Sequence, residues 1–178
     1  MAKIKIKGHE FDAIIVRDSF QRKTVQFRNK IIDTLSKIGL TEDDSDIPID
    51  TMAIKKAPAF ASWYFNGYRL HYSYQGGKFV DNLYVVFKVI ELEVNELLSE
   101  KKTVDDFIRE FSEDDDVEKQ RKEARETLGL SHDTLDIELI DKKFKALAKE
   151  YHPDMSNGDL GKFKAINRAH KILKRELQ

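Results

Sequence analysis

The sequence predicts an α+β protein in two parts: an N-terminal antiparallel sheet with covering helices, and an all-α helical hairpin at the C-terminal end. Three observations carry this prediction. Asn66-Gly67 joins two β-rich aromatic runs, 60–65 and 68–74, and an Asn-Gly pair between such runs is the signature of a two-residue hairpin turn. Leu83, Val86, Phe87, Ile90, Val94 and Leu97 then recur at helical spacing. Beyond residue 136, two apolar stripes of helical phase flank a short segment that contains His152-Pro153-Asp154.

Composition narrows the classes. The chain has 178 residues, room for one medium domain or two small ones. Apolar residues make up 40% and charged residues 35%, which fits a helix-rich, soluble protein with a packed core. Lys plus Arg is 31 against 32 for Asp plus Glu, so no global basic field draws nucleic acid or membrane. There is no cysteine, which removes disulfides and thiolate metal sites. The five histidines are scattered, so no metal is expected. The first residues lack an apolar stretch of the kind that targets secretion. The densest apolar run, 83–90, is too short for a bilayer and contains Lys88. These features predict a cytoplasmic protein without membrane partners. Gln75-Gly76-Gly77-Lys78 lacks the spacing of a phosphate loop, and no nucleophile–base order is recognisable. No enzyme and no cofactor are expected.

Each element follows in chain order. Residues 3–7 alternate charged and apolar, the period of a half-exposed strand. Gly8-His9-Glu10 can turn, and 11–16 reads as a second strand. Asp18 or Ser19 can cap a helix over about 19–38, stopped by Gly39, with Val25, Ile32, Leu35 and Ile38 in its apolar stripe. Residues 41–48 form an acidic loop. The hairpin turn sets Phe65 against Tyr68, Trp63 against Leu70 and Ala61 against Tyr72 on one face, with Tyr64/Arg69 and Ser62/His71 on the other. The aromatic face could stack nucleic-acid bases, but a helix over 82–100 is at hand to cover it as core. Residues 90–94 also alternate, so a strand stays open there, although the lack of Gly or Pro favours the helix. Thr103 with Asp106 resembles a capping box for a short helix to Phe111. The acidic run 112–118 marks a linker between a domain over 1–111 and another over 119–178.

In the last third, Ile140, Phe144, Leu147 and Tyr151 form one helical stripe. Pro153 ends that helix and pushes His152 out of the α region. Residues 156–159 have turn chemistry and Asp159 can cap. A second stripe follows through Phe163, Ile166, His170, Leu173 and Leu177. Two amphipathic helices joined by a short loop form an antiparallel hairpin, with His-Pro-Asp at its tip. Lys142, Lys145 and Lys149 lie on the first helix and further bases crowd the second, ten bases against seven acids over 136–178.

Glu126-Thr-Leu-Gly-Leu130, Phe144-Lys-Ala-Leu-Ala-Lys-Glu-Tyr-His-Pro-Asp154 and Lys162-Phe-Lys-Ala-Ile-Asn-Arg-Ala-His-Lys-Ile-Leu173 resemble the J domain of DnaJ-type (Hsp40) co-chaperones. The resemblance covers roughly 120–178, and nothing in 1–111 shares it. It implies a J-domain core of Leu128, Leu130, Ile140, Phe144, Leu147, Tyr151, Phe163, Ile166, His170 and Leu173. It implies an Hsp70 (DnaK-type) partner, met by His152, Pro153 and Asp154 and by Lys142, Lys145 and Lys149, whose ATP hydrolysis the protein stimulates while doing no chemistry itself. The N-terminal domain would then choose client or location. Ala146, Glu150 and Met155 stand where the family often has bases, and Ala124-Arg125 where it often has aromatics. Two other uses therefore stay open: a J-like scaffold that does not activate Hsp70, and a nucleic-acid adaptor, which the acidic run disfavours.

Overall fold

The computed structural model describes residues 2–49, 53–112 and 114–177, with the side chains of 114–116 left aside. The described elements are β1 (Lys3–Ile6), β2 (His9–Asp12), α1 (Phe20–Ser36), a 3₁₀ turn (Glu42–Asp44), β3 (Ser45–Asp46), β4 (Ala59–Phe65), β5 (Tyr68–Tyr74), α2 (Phe79–Leu98), α3 (Val104–Phe111), α4 (Asp114–Thr127), α5 (Ile137–Glu150) and α6 (Leu160–Leu177). The class is α+β. The residues group into two compact units, Met1–Tyr64 with Leu70–Phe111, and Phe65–Arg69 with Ser112–Gln178.

In the first unit the strands form two sheets, β1-β2 and β3-β4-β5, rather than one. The expected turn at Gly8–Glu10 and strand at 11–16 are both displaced. Lys7 (φ 53°) and Gly8 (φ 82°) make the turn, so Ile6 pairs with His9 and Lys3 with Asp12. A two-residue turn with both φ values positive matches the twist of a hairpin. Its lysine hid it, because Lys rarely takes positive φ. Residues 13–17 lie outside any strand.

The second hairpin turns at Asn66 (φ 50°) and Gly67 (φ 85°). Ala59, Ala61, Trp63, Phe65, Tyr68 and Leu70 are buried, in strict alternation along each strand. On the outer face the Ser62 hydroxyl and His71 Nδ1 are hydrogen-bonded at 2.8 Å. The inner face is core rather than a stacking platform. The Phe111 ring meets Trp63 edge-on at 4.9 Å and Tyr72 at 6.1 Å, so α3 reaches this face. Burial pushes the Tyr72 phenol up to about 12. The Trp63 Nε1 has no partner among the described residues; the indole stabilises through apolar area.

The central helix is α2, and it shows no strand at 90–94. Val80, Leu83, Val86, Val89, Ile90 and Val94 are all fully buried, each contributing roughly 1.5–3 kcal/mol. A helix apolar on most sides belongs in a core. It starts one turn earlier than its periodicity suggests, because Asn82 is structural. The Asn82 Oδ1 accepts from the Gly76 and Gly77 N–H groups, and its amide donates to the Ala57 and Gly77 carbonyls. Helix α1 packs on α2 through Thr24, Phe27, Ile31, Thr34 and Leu35. The expected stripe was rotated: Val25 is exposed, and Ile32 and Ile38 are half-buried. Thr24 and Thr34 donate to the Phe20 and Lys30 carbonyls, which satisfies their hydroxyls and lets threonine occupy the buried face. Ser19 stands at the N-cap position without a side-chain capping bond. The Thr103 hydroxyl does accept from Asp106 N–H at the start of α3.

Glu93 is fully buried on α2. Its carboxylate accepts from Lys102 and pairs with His9 Nε2 at 2.8 Å. Removing one partner of a buried ion pair leaves the other charge uncompensated. Glu93→Ala is therefore expected to destabilise the first unit by about 3 kcal/mol or more, read as a lower urea midpoint of the fluorescence of Trp63, the single tryptophan. An unchanged midpoint would mean that the network carries no net stability.

Candidate functional site

The second unit is helical apart from residues 65–69. Of the acidic run expected as a linker, residues 114–118 fall within α4, which begins at Asp114; Glu113 and the side chains of 114–116 lie outside the described residues. Helix α4 ends at Gly129 in the left-handed region (φ 68°), a glycine cap. It packs on α6, and α5 packs on α6. Leu128, Ile140 and Leu173 are fully buried at the centre, with Ile166, Ala169 and Ile172 beside them.

Asp136 starts α5 by accepting from Glu138 N–H at 3.0 Å and Leu139 N–H at 3.3 Å. Asp159 starts α6, its Oδ1 accepting from Lys162 N–H at 3.1 Å, as its residue type suggested. Between them the chain reverses through two tight turns: the Met155 N–H donates to the His152 carbonyl and the Gly158 N–H to the Met155 carbonyl, both at 2.9 Å. Asp159 N–H closes the loop onto Tyr151 O at 3.2 Å.

This loop holds out the His-Pro-Asp residues. Asp154 is 91% exposed at its side chain and His152 46%. His152 is nevertheless fixed. Its Nδ1 accepts from Asp154 N–H at 3.2 Å, and its ring lies edge-on to Phe163 at 5.2 Å. The acceptor role of Nδ1 leaves the Nε2 edge for a partner. Pro153 fixes φ between the two polar side chains.

Lys142, Lys145 and Lys149 are exposed along α5. Lys162, on α6, lies over the Tyr151 ring at 4.9 Å, a cation–π contact that orders it. The ten residues expected as core divide by position. Leu128, Ile140, Ile166 and Leu173 are buried, while Leu130, Phe144, Leu147, Tyr151, Phe163 and His170 are half-buried. Phe144 and Phe163 are among the half-buried ones on the facing helices α5 and α6. They line a cavity of about 340 Å3 formed by Phe144, Ala148, Lys149, His152, Met155 and Phe163. The cavity thus runs from the exposed tripeptide into the α5–α6 seam.

Four residues matter here that sequence reasoning missed or undervalued. Gly158 was read only as turn chemistry. A Cβ there would collide with the His152 carbonyl and stand 2.9 Å from the Met155 carbonyl. His170 stacks on Phe144, centroids 3.9 Å apart, and its Nε2 meets Asp141 Oδ1 at 2.6 Å. That hydrogen bond holds the Asp141 carboxyl below its ordinary value, helped by the charges of Lys174 and Lys145. Arg125 is buried, its Nε donating to Thr134 O at 2.9 Å and its Nη2 to Glu176 at 2.9 Å. Gln120 mimics a neighbouring strand: its amide accepts from Arg69 N–H at 2.7 Å and donates to Arg69 O at 3.3 Å. Beside it Arg121 Nε donates to the buried Tyr68 hydroxyl at 3.3 Å. Glycine is required at 67 as well, where a Cβ would stand 2.8 Å from Ile172. Apart from Gly158, whose contacts lie within its own loop, these residues meet partners outside their own helical turn, so periodicity carries no signal for them.

The chain matches the DnaJ domain family over residues 125–178. It is 46% identical over 55 residues to a protein named chaperone protein DnaJ from Lacticaseibacillus casei, a match covering 30% of this chain and 14% of that protein. It is 43% identical over 56 residues to a protein of the same name from Acetivibrio thermocellus, with the same coverage of 30% and 14%. The chain thus spans about a seventh of the length of these curated relatives. No solved structure matches it.

Two outcomes follow from the geometry. Gly158→Ala is expected to cost about 1–3 kcal/mol, as overpacking against backbone does. Hydrogen exchange should rise in 151–159, with Trp63 fluorescence unchanged; equal protection of the loop would refute the steric reading. Asp141 has a depressed folded value, so its contribution is present above the ordinary carboxylate value and lost as pH falls through the folded one. Melting followed by far-UV circular dichroism should weaken below about pH 4, and Asp141→Asn should flatten that dependence. An unaltered acid profile in the variant would remove the pair from the account.

Proposed function

We propose, from the premise that residues 125–178 are a J domain of the DnaJ family, that this protein is a co-chaperone which docks on a DnaK-type Hsp70 and stimulates its ATP hydrolysis. The observation that carries the reading is His152-Pro153-Asp154 held out on a double-turn loop at the end of basic α5. Lys142, Lys145 and Lys149 steer approach to an acidic surface and fix orientation. Pro153 presents two polar side chains already ordered, so little entropy is lost on docking. Asp154 can take an arginine of the partner in a charge-assisted hydrogen bond. The ATP and its hydrolysis belong to the partner; this chain contributes recognition. A cytoplasmic setting, with the DnaK-type partner, is part of the proposal, and so is a domain division near residue 112. The N-terminal unit is proposed to select the client or the location.

A second reading is a J-like scaffold that docks without activating, favoured by Ala146 and Glu150 on α5, which make that face less positive. Single-turnover ATP hydrolysis by a DnaK-type Hsp70 separates the two. Stimulation by the wild type that His152→Gln reduces by about tenfold, a loss of about 1.4 kcal/mol, supports the co-chaperone. Absent stimulation from folded protein supports the scaffold.

A further inference from the structure

We propose that a groove in the N-terminal unit takes an extended segment of a client polypeptide, one in which bulky apolar side chains are flanked by acidic residues. This rests on the co-chaperone reading for the word client, and deepens it. The groove lies where residues 13–17 leave β2 and pass the start of α2. Ile4, Ile14, Ile15, Tyr74 and Val85 form its apolar walls, enclosing about 340 Å3. Ile15 is 70% exposed, the most exposed large apolar residue among those described, and Ile54, two residues from the rim lysine Lys56, is 54% exposed. Covering the exposed Ile15 side chain with an apolar group of a ligand is favourable.

The rim decides the occupant. A backbone bridge sets Lys56 beside Lys78 at the groove, and Lys55 adjoins them. Lys56 has no acidic partner within ion-pair distance among the described residues. The lining acid, Asp81, already accepts from Val16 N–H at 2.8 Å. Asn82 spends its amide on Gly76, Gly77 and Ala57. Lys78 Nζ donates to the Val16 carbonyl at 3.4 Å and lies over the Phe20 ring at 5.2 Å, so Lys56 is the lining ammonium group left to a ligand among the described residues, and the complement carries a carboxylate beside apolar groups. The volume is at the bottom of the roughly 300–1,000 Å3 range of ligand pockets, which suits one or two side chains of a peptide.

The test uses the full chain and fluorescein-labelled octapeptides, read by anisotropy. One peptide carries Leu-Phe flanked on each side by Asp and Glu; a second has lysines at the acidic positions; a third has serines in place of Leu-Phe. The expected result is binding of the first alone, weakened about tenfold or more by Ile15→Asp and by Lys56→Glu. No binding of the first peptide, or binding by either variant as tight as by the wild type, overturns the proposal. So does a wild-type dimer in sedimentation equilibrium that Ile15→Asp dissociates, since a second copy would then fill the groove. Hsp70 stimulation is measured alongside. Lost peptide binding with intact stimulation condemns the groove alone, and intact peptide binding without stimulation condemns the co-chaperone reading alone.

Discussion

Reversal of the chain between Glu150 and Leu160 is the constraint on which the C-terminal unit depends. Two amphipathic helices must be brought together across a loop that also has to display polar side chains. The solution is two successive tight turns closed by Asp159 N–H on Tyr151 O. Gly158 makes it sterically feasible, because its α-carbon passes against the His152 carbonyl with no room for a side chain. Most of the backbone there is hydrogen-bonded to itself, and His152 Nδ1 adds one bond by accepting from Asp154 N–H. The Asp154 carboxylate is left 91% exposed and the His152 ring keeps its Nε2 edge outward.

Away from the loop, stability in this unit rests on polar side chains that do the work of backbone. Gln120 pairs with both main-chain groups of Arg69 as a strand would. Arg125 satisfies Thr134 O and Glu176 from a buried position. Such a pair is geometrically demanding, and its loss costs more than its presence gains.

The N-terminal unit applies the same rule around α2. That helix buries aliphatic side chains on most of its surface, and its two buried polar residues, Asn82 and Glu93, each tie distant segments to it. Asn82 organises Gly76, Gly77 and Ala57, and Glu93 gathers His9 and Lys102. A carboxylate this deeply buried needs both partners. Near the start of α2, Ile15 is 70% exposed and Lys56 has no acidic ion-pair partner among the described residues, the two features on which the proposed peptide groove rests.

Local chemistry was legible in the sequence where one short stretch contains the whole cause. The Asn66-Gly67 turn, the helix stop at Pro153, the Asp159 cap and the two C-terminal stripes each depend on neighbours within a few residues. The resemblance of 120–178 to the J domain rests on the same stretches. The fold decided what depends on distance. Thr24 and Thr34 displaced Val25 from the buried face of α1 because their hydroxyls could bond one turn back. Lys7-Gly8 turned where a pairing with His9 was available, so one expected sheet became two. Six of the ten residues expected in the J-domain core are only half-buried, which their periodicity did not reveal. The partnerships of Gln120, Arg125 and His170 cannot be read from periodicity, since a hydrogen bond depends on which atoms the packed chain brings within reach of one another.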